Sequence, residues 1–198
     1  MGISAVVLAA GRSTRMGEPK QLLRLSGCLM LEQTLENVRA GGVDEVVLVL
    51  GFATEAIRRE LSEPLLDGVR VVVNENYESG MASSLRAGLA AVSPAMDAAL
   101  IVLADQPFVR PETLRGILDV HRNSGAKIVV PLYKGQRGNP VLLDRSLFAE
   151  AMALEGDIGC RAIFASHADA MAYFEVDDPA ILADIDTRED FERLGGRE

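Results

Sequence analysis

The sequence predicts a single α/β domain spanning residues 1–198, in which helices cover both faces of a mostly parallel sheet. Short runs rich in β-branched residues alternate with longer segments of helical spacing, which is the pattern of βαβ units. Residues 3–10 are almost entirely apolar and are followed by Gly11, as expected of a strand buried on both faces. A chain of 198 residues fits one domain with a sizeable core. Together these features predict three layers, α/β/α.

The predicted strands are short apolar runs that end at turn residues. The run at residues 46–50, for example, stops at Gly51. The alternating rhythm loosens after Pro131, and the run at 141–143 is predicted to be an edge strand. The full set of predicted strands is residues 3–10, 46–50, 69–73, 98–103, 127–130, 141–143 and 172–176.

The predicted helices follow from apolar residues three or four positions apart and from capping residues. Leu31 and Leu35 share one face of a helix that Gly41 ends. Thr187 and Asp190 resemble a capping box, with Asp in place of the usual Glu, at the start of the last helix. The full set of predicted helices is residues 29–40, 53–61, 83–92, 111–123, 147–152 and a final helix from 187 onward.

The composition narrows the classes of function. Hydrophobic residues make up 48% and charged residues 25% of the chain, which is ordinary for a globular domain. The net charge of −9 argues against a broad nucleic-acid-binding surface. No apolar run approaches the ~20 residues that cross a bilayer, and the first residues lack the features of a signal peptide. The sequence therefore predicts a cytoplasmic protein without nucleic-acid or membrane partners.

Histidine and cysteine usage bears on the kind of site. Cys28 and Cys160 lie far apart and form no Cys-x-x-Cys pair, which fits a reduced chain. Two histidines, His121 and His167, are too few for a multi-histidine metal site, and both are predicted to lie on helix surfaces. A small anionic ligand is compatible with the acidic chain, because it needs only a local pocket of backbone N–H groups and a few cations or a metal ion.

The strongest candidate for function is the segment LAAGRSTRMGEPK at residues 8–20. In open parallel sheets, ligands bind beyond the carboxyl ends of the strands. Backbone N–H groups in such a loop can cradle phosphates, while Arg15 and Lys20 can neutralise the charge that develops in phosphoryl transfer. The segment matches neither the Rossmann nor the Walker pattern. The alternative is a solvated basic turn, and the position directly after the first strand favours the ligand site.

The motif LAAGRSTRMGEPKQLL, residues 8–23, closely resembles the opening motif of the nucleotidyltransferase superfamily that includes the molybdenum cofactor guanylyl- and cytidylyltransferases. The resemblance extends over nearly the whole chain and is most specific for the cytidylyltransferase branch. It implies a Rossmann-like sheet of the nucleotide-diphospho-sugar transferase type and a loop that wraps a triphosphate. It also implies that Arg15, Lys20 and Asp105 are catalytic. The nucleotide-binding residues that it implies on the loop are Leu8, Ala9, Ala10, Gly11, Arg15 and Lys20.

The same resemblance bears on the choice of base. The guanylyl branch typically has Gly before the final glycine of the motif and the cytidylyl branch has Ala, so Ala10 favours CTP. The segment at residues 74–85 opens a helix whose N-terminal N–H groups face the sheet edge. Its Gly-Met-x-x-Ser spacing resembles the base-recognition loop of the cytidylyl branch and points to Gly80, Met81 and Ser84. Ser79, which precedes Gly80, is also predicted to be the N-cap of this helix.

Carboxylates at two further places favour a Mg²⁺ site. Asp105 follows the predicted strand at 98–103, where a carboxylate can hold Mg²⁺ against phosphate oxygens. The resemblance implies the same role, whereas the structural alternative is a cap for the turn around Pro107. The resemblance implies either a second metal ligand or an acceptor contact at residues 184–187, where Asp186 is the preferred metal ligand and Asp184 the alternative. Either of the two could instead be a helix cap.

Two later loops are predicted to hold the acceptor. The first carries a guanidinium suited to phosphate, and the second, at residues 156–161, resembles another loop of the family. An ordinary turn is the alternative in both places. The related branch often has His where this chain has Asn139, which weakens the match there. The predicted acceptor-binding residues are Arg137, Gly138, Asn139, Asp157 and Arg161.

These residues, together with the resemblance, predict an enzyme that transfers CMP from CTP to a phosphorylated acceptor and releases pyrophosphate. The resemblance implies molybdopterin-bound molybdenum as the acceptor and a molybdoenzyme or its chaperone as a partner. One alternative is another phosphorylated metabolite, such as a sugar phosphate, as acceptor. The other is a non-catalytic carrier of nucleotide or molybdopterin. The presence of both Lys20 and Asp105 favours catalysis, because a carrier needs neither.

Overall fold

The computed structural model describes residues 1–13, 16–61 and 63–194. Within these residues, eight strands form one sheet, and a separate pair forms a small ribbon. The strands are β1 (Ile3–Leu8), β2 (Arg24–Leu25), β3 (Cys28–Leu29), β4 (Glu45–Leu50), β5 (Val69–Val73), β6 (Ala98–Leu103), β7 (Ile128–Tyr133), β8 (Gln136–Arg137), β9 (Val141–Asp144) and β10 (Met171–Glu175). The helices are α1 (Met30–Ala40), α2 (Thr54–Glu60), α3 (Glu63–Leu66), α4 (Met81–Ala91), α5 (Pro111–Ser124), α6 (Phe148–Met152) and α7 (Arg188–Arg193).

The main sheet is mostly parallel, as the sequence predicts. Its strands lie in the order β10-β7-β9-β6-β1-β4-β5, with β8 paired to β7. β1 is parallel to both of its neighbours, and its last residue, Leu8, is in register with Val49 of β4 and Leu103 of β6. The carboxyl ends of these three strands therefore meet at one edge, and the loops that follow them are brought together.

Apolar side chains fill the space between the sheet and each layer of helices. On one face, α1, α2 and α5 contribute residues such as Leu35, Ile57 and Leu118. On the other face, α4 and α6 contribute Leu85 and Phe148. This arrangement confirms the predicted α/β/α fold class.

The prediction of an edge strand at 141–143 is wrong. β9 lies between β6 and β7, and it is antiparallel to both. Val141, Leu142 and Leu143 are at most 2% exposed, as expected of a strand with neighbours on both sides. Among the described strands, β5 and β10 form the two ends of the sheet order. So short an apolar run carries no information about which strands flank it.

The expectation that both histidines lie on helix surfaces is also wrong for one of them. His121 belongs to α5, but its side chain is fully buried on the apolar stripe that includes Leu118. Its Nδ1 lies 2.9 Å from the carbonyl oxygen of Ala126. His167 is half-buried, and its Nε2 lies 2.6 Å from a carboxylate oxygen of Glu150.

The sequence predicts a chain with reduced cysteines and without a membrane span. Among the helices of the described ranges, none combines the length and apolar character needed to cross a bilayer. Cys28 is partly buried and Cys160 is buried, and both thiols are free.

Candidate active site

The loop after β1 begins at the edge where the central strands end. Ala9 and Ala10 are buried, and the amide of Ala9 donates to the carbonyl oxygen of Val49 at 2.9 Å. The space that a Cβ on Gly11 would enter is open, with no atom within 4 Å. A ligand can therefore approach the backbone closely here. Arg15 lies outside the described residues, so its catalytic and nucleotide-binding roles stay predictions.

Gln21 holds this loop in place, a role that the sequence interpretation missed. Its side chain is 2% exposed. Its Nε2 donates to the carbonyl oxygens of Ala9 at 2.8 Å and Gly11 at 3.2 Å. A buried amide normally satisfies its hydrogen bonds in this way, and here the acceptors are the backbone of the proposed phosphate loop. The available signal was a glutamine next to Lys20 in an otherwise apolar run.

Lys20 lies between the two carboxylates predicted to bind metal. Its Nζ is 2.7 Å from Oδ2 of Asp105 and 2.9 Å from Oδ1 of Asp186. It also donates to the carbonyl oxygen of Ile185 at 3.3 Å. The lysine side chain is 15% exposed, so the cluster is largely shielded from water. The fold thus joins three predicted residues that span 166 positions of the chain.

Burial and charge act on the pKa of Lys20 in opposite directions. Desolvation is the largest single influence and lowers the pKa. The charges and hydrogen bonds of Asp105 and Asp186 together outweigh it, so the pKa is raised. The amine therefore stays protonated at neutral pH, which fits the short distances of charge-assisted hydrogen bonds.

Asp105 has one carboxylate oxygen with unused hydrogen-bonding capacity. Oδ2 accepts a hydrogen bond from Lys20, whereas Oδ1 is buried and has no partner among the described residues. Buried carboxylate oxygens normally have partners, so Oδ1 is well suited to a bound cation. The side chain bonds to Lys20 and not to the turn around Pro107, which speaks against the capping alternative.

The two acidic residues of the last loop have different partners. The amide of Ile185 donates to the carbonyl oxygen of Asp105 at 2.9 Å, which ties this loop to the end of β6. Asp186 contacts the lysine ammonium, whereas Asp184 accepts a 2.6 Å hydrogen bond from Nε2 of Gln106. Burial first, and the nearby charge of Asp105 second, raise the pKa of Asp184. The geometry thus favours Asp186 as the second metal ligand.

Two adjoining cavities open at this edge of the sheet. The first has a volume of about 220 Å³, and the second about 260 Å³. Leu8, Met81 and Leu103 line both, so the cavities share a wall. The predicted nucleotide-binding residues that line the first cavity are Leu8, Ala9, Ala10, Gly11, Lys20, Gly80, Met81, Ser84 and Asp105. The structure thus brings together every described member of that set.

The N-terminus of α4 forms one side of the first cavity and is capped by a distant loop. Ser79 was expected to cap it, but its hydroxyl donates to the carbonyl oxygen of Asn76 instead. The first helical amide, of Met81, lies 3.3 Å from Oδ1 of Asp157, and the next amide donates to the carbonyl oxygen of Gly156. Asp157, which was predicted to bind the acceptor, therefore lies in the first cavity. Because Met81 and Asp157 are 76 positions apart in the sequence, no local pattern predicts this cap.

Replacing Gly80 with alanine is expected to lower the free energy of unfolding and the affinity for nucleotide. The new Cβ would lie 2.4 Å from the backbone of Gly156, and φ at this position is +103°. Segment 156–157 must then shift, at a cost of about 1–3 kcal/mol for the combined strain. Urea unfolding and calorimetric titration with a nucleoside triphosphate measure the two effects.

Gly68→Ala is the matched control for this substitution. Gly68 also has a positive φ, +71°, but nothing lies within 4 Å of its would-be Cβ. Equal effects of the two substitutions on stability and on nucleotide affinity would mean that the contact between Gly80 and Gly156 is unimportant.

The second cavity is lined mainly by apolar side chains and by three polar ones. Asn139 and Arg161, both predicted to bind the acceptor, lie here together with Asp184. Cys160 forms part of the wall, and burial raises the pKa of its thiol to about 12, so it stays neutral at physiological pH. This cavity can therefore accept an apolar or planar group with polar atoms at its rim.

Two other predicted acceptor residues lie away from this cavity's lining. The guanidinium of Arg137 donates to the hydroxyl of Tyr173 at 2.7 Å, and it lies over the same ring with Cζ 5.3 Å from the centroid. Gly138 is packed against Ile181: a Cβ added at this glycine would lie 2.6 Å from atoms of Ile181. Arg137 is connected to the site through its carbonyl oxygen, which lies 3.4 Å from a guanidinium nitrogen of Arg161.

The similarity of this chain to known proteins agrees with the geometry. The model of the MobA-like NTP transferase domain matches residues 5–171. Nicotine blue oxidoreductase from Paenarthrobacter nicotinovorans is 33% identical over 97% of this chain and 96% of its own length. Rv0371c from Mycobacterium tuberculosis H37Rv superposes with a TM-score of 0.87 at 40% identity, covering 98% of both chains. The same protein has been solved as a complex with manganese.

A nucleotidyl transferase from Methanothermobacter is similar over 98% of this chain and 96% of its own, with 29% identity and a TM-score of 0.80. The match to the family spans most of the main sheet, the lining of the first cavity and all of the lining of the second except Asp184. It includes β1 from Ala5 onward, the loop that follows it, and the end of β6 with Asp105. The chain therefore belongs to the MobA-like NTP transferase family, within the nucleotidyltransferase superfamily.

Proposed function

We propose that this protein is a divalent-metal-dependent enzyme that transfers CMP from CTP to a phosphorylated acceptor and releases pyrophosphate. The acceptor that we favour is molybdopterin-bound molybdenum, with a molybdoenzyme or its chaperone as recipient of the product. The observation that carries the proposal is the cluster of Lys20, Asp105 and Asp186, in which Lys20 and Asp105 line the first cavity and Asp186 contacts the lysine ammonium. A cation and two carboxylates beside a backbone loop are the groups that phosphoryl transfer requires.

The two cavities provide one place for each substrate. The triphosphate occupies the first, where the loop backbone and Lys20 face its phosphates, and the acceptor occupies the second. The acceptor phosphate oxygen attacks the α-phosphorus in line, a bond forms between them, and the bond from the α-phosphorus to the bridging oxygen breaks as pyrophosphate leaves. The attacking phosphate is already ionised, so the chain needs no general base. Its contribution is positioning and charge neutralisation.

The metal would be held by Asp105 and Asp186. Oδ1 of Asp105, which has no hydrogen-bond partner within the described part of the chain, and the adjacent Asp186 carboxylate are hard oxygen ligands of the kind that Mg²⁺ prefers. A bound divalent ion would supply charge neutralisation between these carboxylates and the phosphates. The manganese complex of the M. tuberculosis relative supports the use of a divalent ion.

We expect CTP to be used in preference to GTP and ATP. Ala10, Gly80 and Ser84 line the first cavity, where a few hydrogen bonds to the base can discriminate by about tenfold to a thousandfold. Pyrophosphate release measured with each triphosphate tests the assignment. Ala10→Gly should narrow the ratio of CTP to GTP turnover, and Ala9→Gly controls for added backbone freedom. Equal turnover of GTP and CTP by the unmodified protein contradicts the choice of base.

A panel of acceptors distinguishes the remaining functions. Molybdenum cofactor, a hexose 1-phosphate and buffer alone are each incubated with CTP and Mg²⁺, and pyrophosphate and the nucleotidylated product are measured. Turnover only with the hexose phosphate favours the sugar-phosphate alternative, and nucleotide binding without any product favours a carrier. One relative is named as an oxidoreductase, so oxidation of NADH or NADPH is followed in parallel. Dinucleotide oxidation without pyrophosphate release would overturn the proposal.

A further inference from the structure

The ammonium group of Lys20 lies where the proposed metal site needs a cation. It contacts Asp105 and Asp186 at 2.7 and 2.9 Å. The side chains of Lys20, Asp105 and Asp186 are 15%, 21% and 33% exposed, so water screens the carboxylates only in part. The lysine therefore neutralises the same carboxylates that are proposed to hold a divalent ion.

Hydrogen bonds hold the backbone of Lys20, whereas its side chain can change rotamer without moving that backbone. The amide of Lys20 donates to the hydroxyl of Ser13 at 3.0 Å, and the following residue, Gln21, is anchored by two hydrogen bonds to loop carbonyls. A lysine ammonium is a point charge on a flexible four-carbon stem. It can leave the carboxylates and turn toward the phosphates without any change in the loop.

We infer that the Lys20 ammonium and the divalent ion exchange at one position. The ammonium bridges Asp105 and Asp186 until a triphosphate arrives with its divalent ion. The ion then binds the two carboxylates, and the ammonium moves to the phosphates. The inference rests on the proposed function for the identity of the arriving ligand. Its consequence is coupled binding. Free metal binds weakly, and metal together with triphosphate binds tightly.

Charge balance is the physical reason for the coupling. A free divalent ion that enters the site must expel the ammonium from two partly buried carboxylates, which separates that cation from its two closest anions. A metal–triphosphate complex brings its own anion, so each charge exchanges one partner for another. By linkage, triphosphate and metal must strengthen each other's binding by the same factor. Without Lys20, metal no longer competes with an internal cation, and this part of the coupling disappears.

Mn²⁺ binding in the absence of nucleotide tests the inference directly. The free Mn²⁺ signal in electron paramagnetic resonance gives its affinity for the wild type, for Lys20→Met and for the control Lys127→Met. Lys127 is exposed and lies at the start of β7, away from both cavities. We expect Lys20→Met to bind Mn²⁺ about tenfold or more tightly than the wild type, because a competing cation in a partly shielded site is removed. Lys127→Met should match the wild type.

Two further measurements complete the test. Adding a non-hydrolysable CTP analogue should increase the Mn²⁺ affinity of the wild type by a larger factor than that of Lys20→Met. The double variant Lys20→Met with Asp105→Asn should lose the gain in Mn²⁺ affinity, which locates the ion. Circular dichroism verifies folding, and Lys20→Gln, which keeps hydrogen bonding to the carboxylates without the charge, serves as a second neutral variant.

The outcomes separate this inference from the proposed function. If both neutral variants bind Mn²⁺ with wild-type or lower affinity, Lys20 does not occupy the metal position and the inference is overturned, even where nucleotidyl transfer is observed. If the neutral variants gain affinity while no nucleotidyl transfer is found, the exchange at Lys20 stands and the proposed reaction falls.

Discussion

Asp105→Asn should lower the rate of pyrophosphate release by about a hundredfold or more, the scale of losing one preorganised charge stabiliser, and should shift the Mg²⁺ dependence to higher concentration. The substitution keeps the shape of the side chain but removes the anion that pairs with Lys20 and carries the unpartnered, buried Oδ1. The measurement is a titration of Mg²⁺ against initial rate at saturating CTP and acceptor. Asp186→Asn, measured in parallel, should shift the Mg²⁺ dependence in the same direction.

Asp97, which lies at the opposite end of β6 from Asp105, offers a control for Asp105→Asn. Asp97 immediately precedes β6, is exposed, and accepts a 2.8 Å hydrogen bond from the amide of Gly2. Asp97→Asn removes an equal charge far from the cavities and should leave the Mg²⁺ profile unchanged. If Asp105→Asn keeps the wild-type rate and Mg²⁺ profile, Asp105 has a structural role only. If Asp186→Asn alone is silent, Asp184 is the next candidate for the second ligand.

Lys20→Ala should reduce turnover by about a hundredfold or more, because the ammonium acts on charge that develops as the α-phosphorus is attacked. The effect should be seen mainly in kcat, since this charge is needed most in the transition state. Lys20→Arg should restore part of the rate, because it returns the charge but not the compact ammonium. Near-normal kcat in Lys20→Ala would mean that the loop after β1 does not hold the triphosphate.

The same substitution should also destabilise the fold. On a solvated loop, replacement of Lys20 would change stability little, but the side chain is largely buried between carboxylates. Removing it brings two partly buried negative charges together without their shared cation, which we expect to cost about 1–3 kcal/mol. Urea unfolding at low ionic strength measures this loss, and Lys127→Ala is the exposed control.

Local pattern and the family resemblance were sufficient to predict the residues that the fold gathers around the first cavity. The loop from Leu8 to Lys20 is contiguous, follows an unmistakably buried strand and carries its cations and glycines within a few positions. Asp105 was equally accessible, because it directly follows the apolar run of β6. Where the polar residues of a site follow a recognisable strand within a few positions, residue type and spacing are enough to predict their location.

The parts that the sequence could not predict depend on contacts between distant segments. The cap that segment 156–157 places on α4 joins positions about 75 residues apart, and no local pattern marks it. The burial of His121 depends on which face of α5 meets the sheet, and an intermediate residue such as histidine does not reveal that face. Gln21 was overlooked because its partners are backbone carbonyls, which have no sequence signature.

The reversed direction of β9 has a consequence for how proteins of this architecture can diversify. Val141 is in register with Ile101 near the ligand edge, whereas Asp144 is in register with Ala98 at the far end of the sheet. Insertions before β9 therefore reshape the second cavity, while insertions directly after it fall on the remote side of the molecule. Changes in the β7–β9 connection can therefore alter the lining of the second cavity while the residues that line the first cavity stay the same.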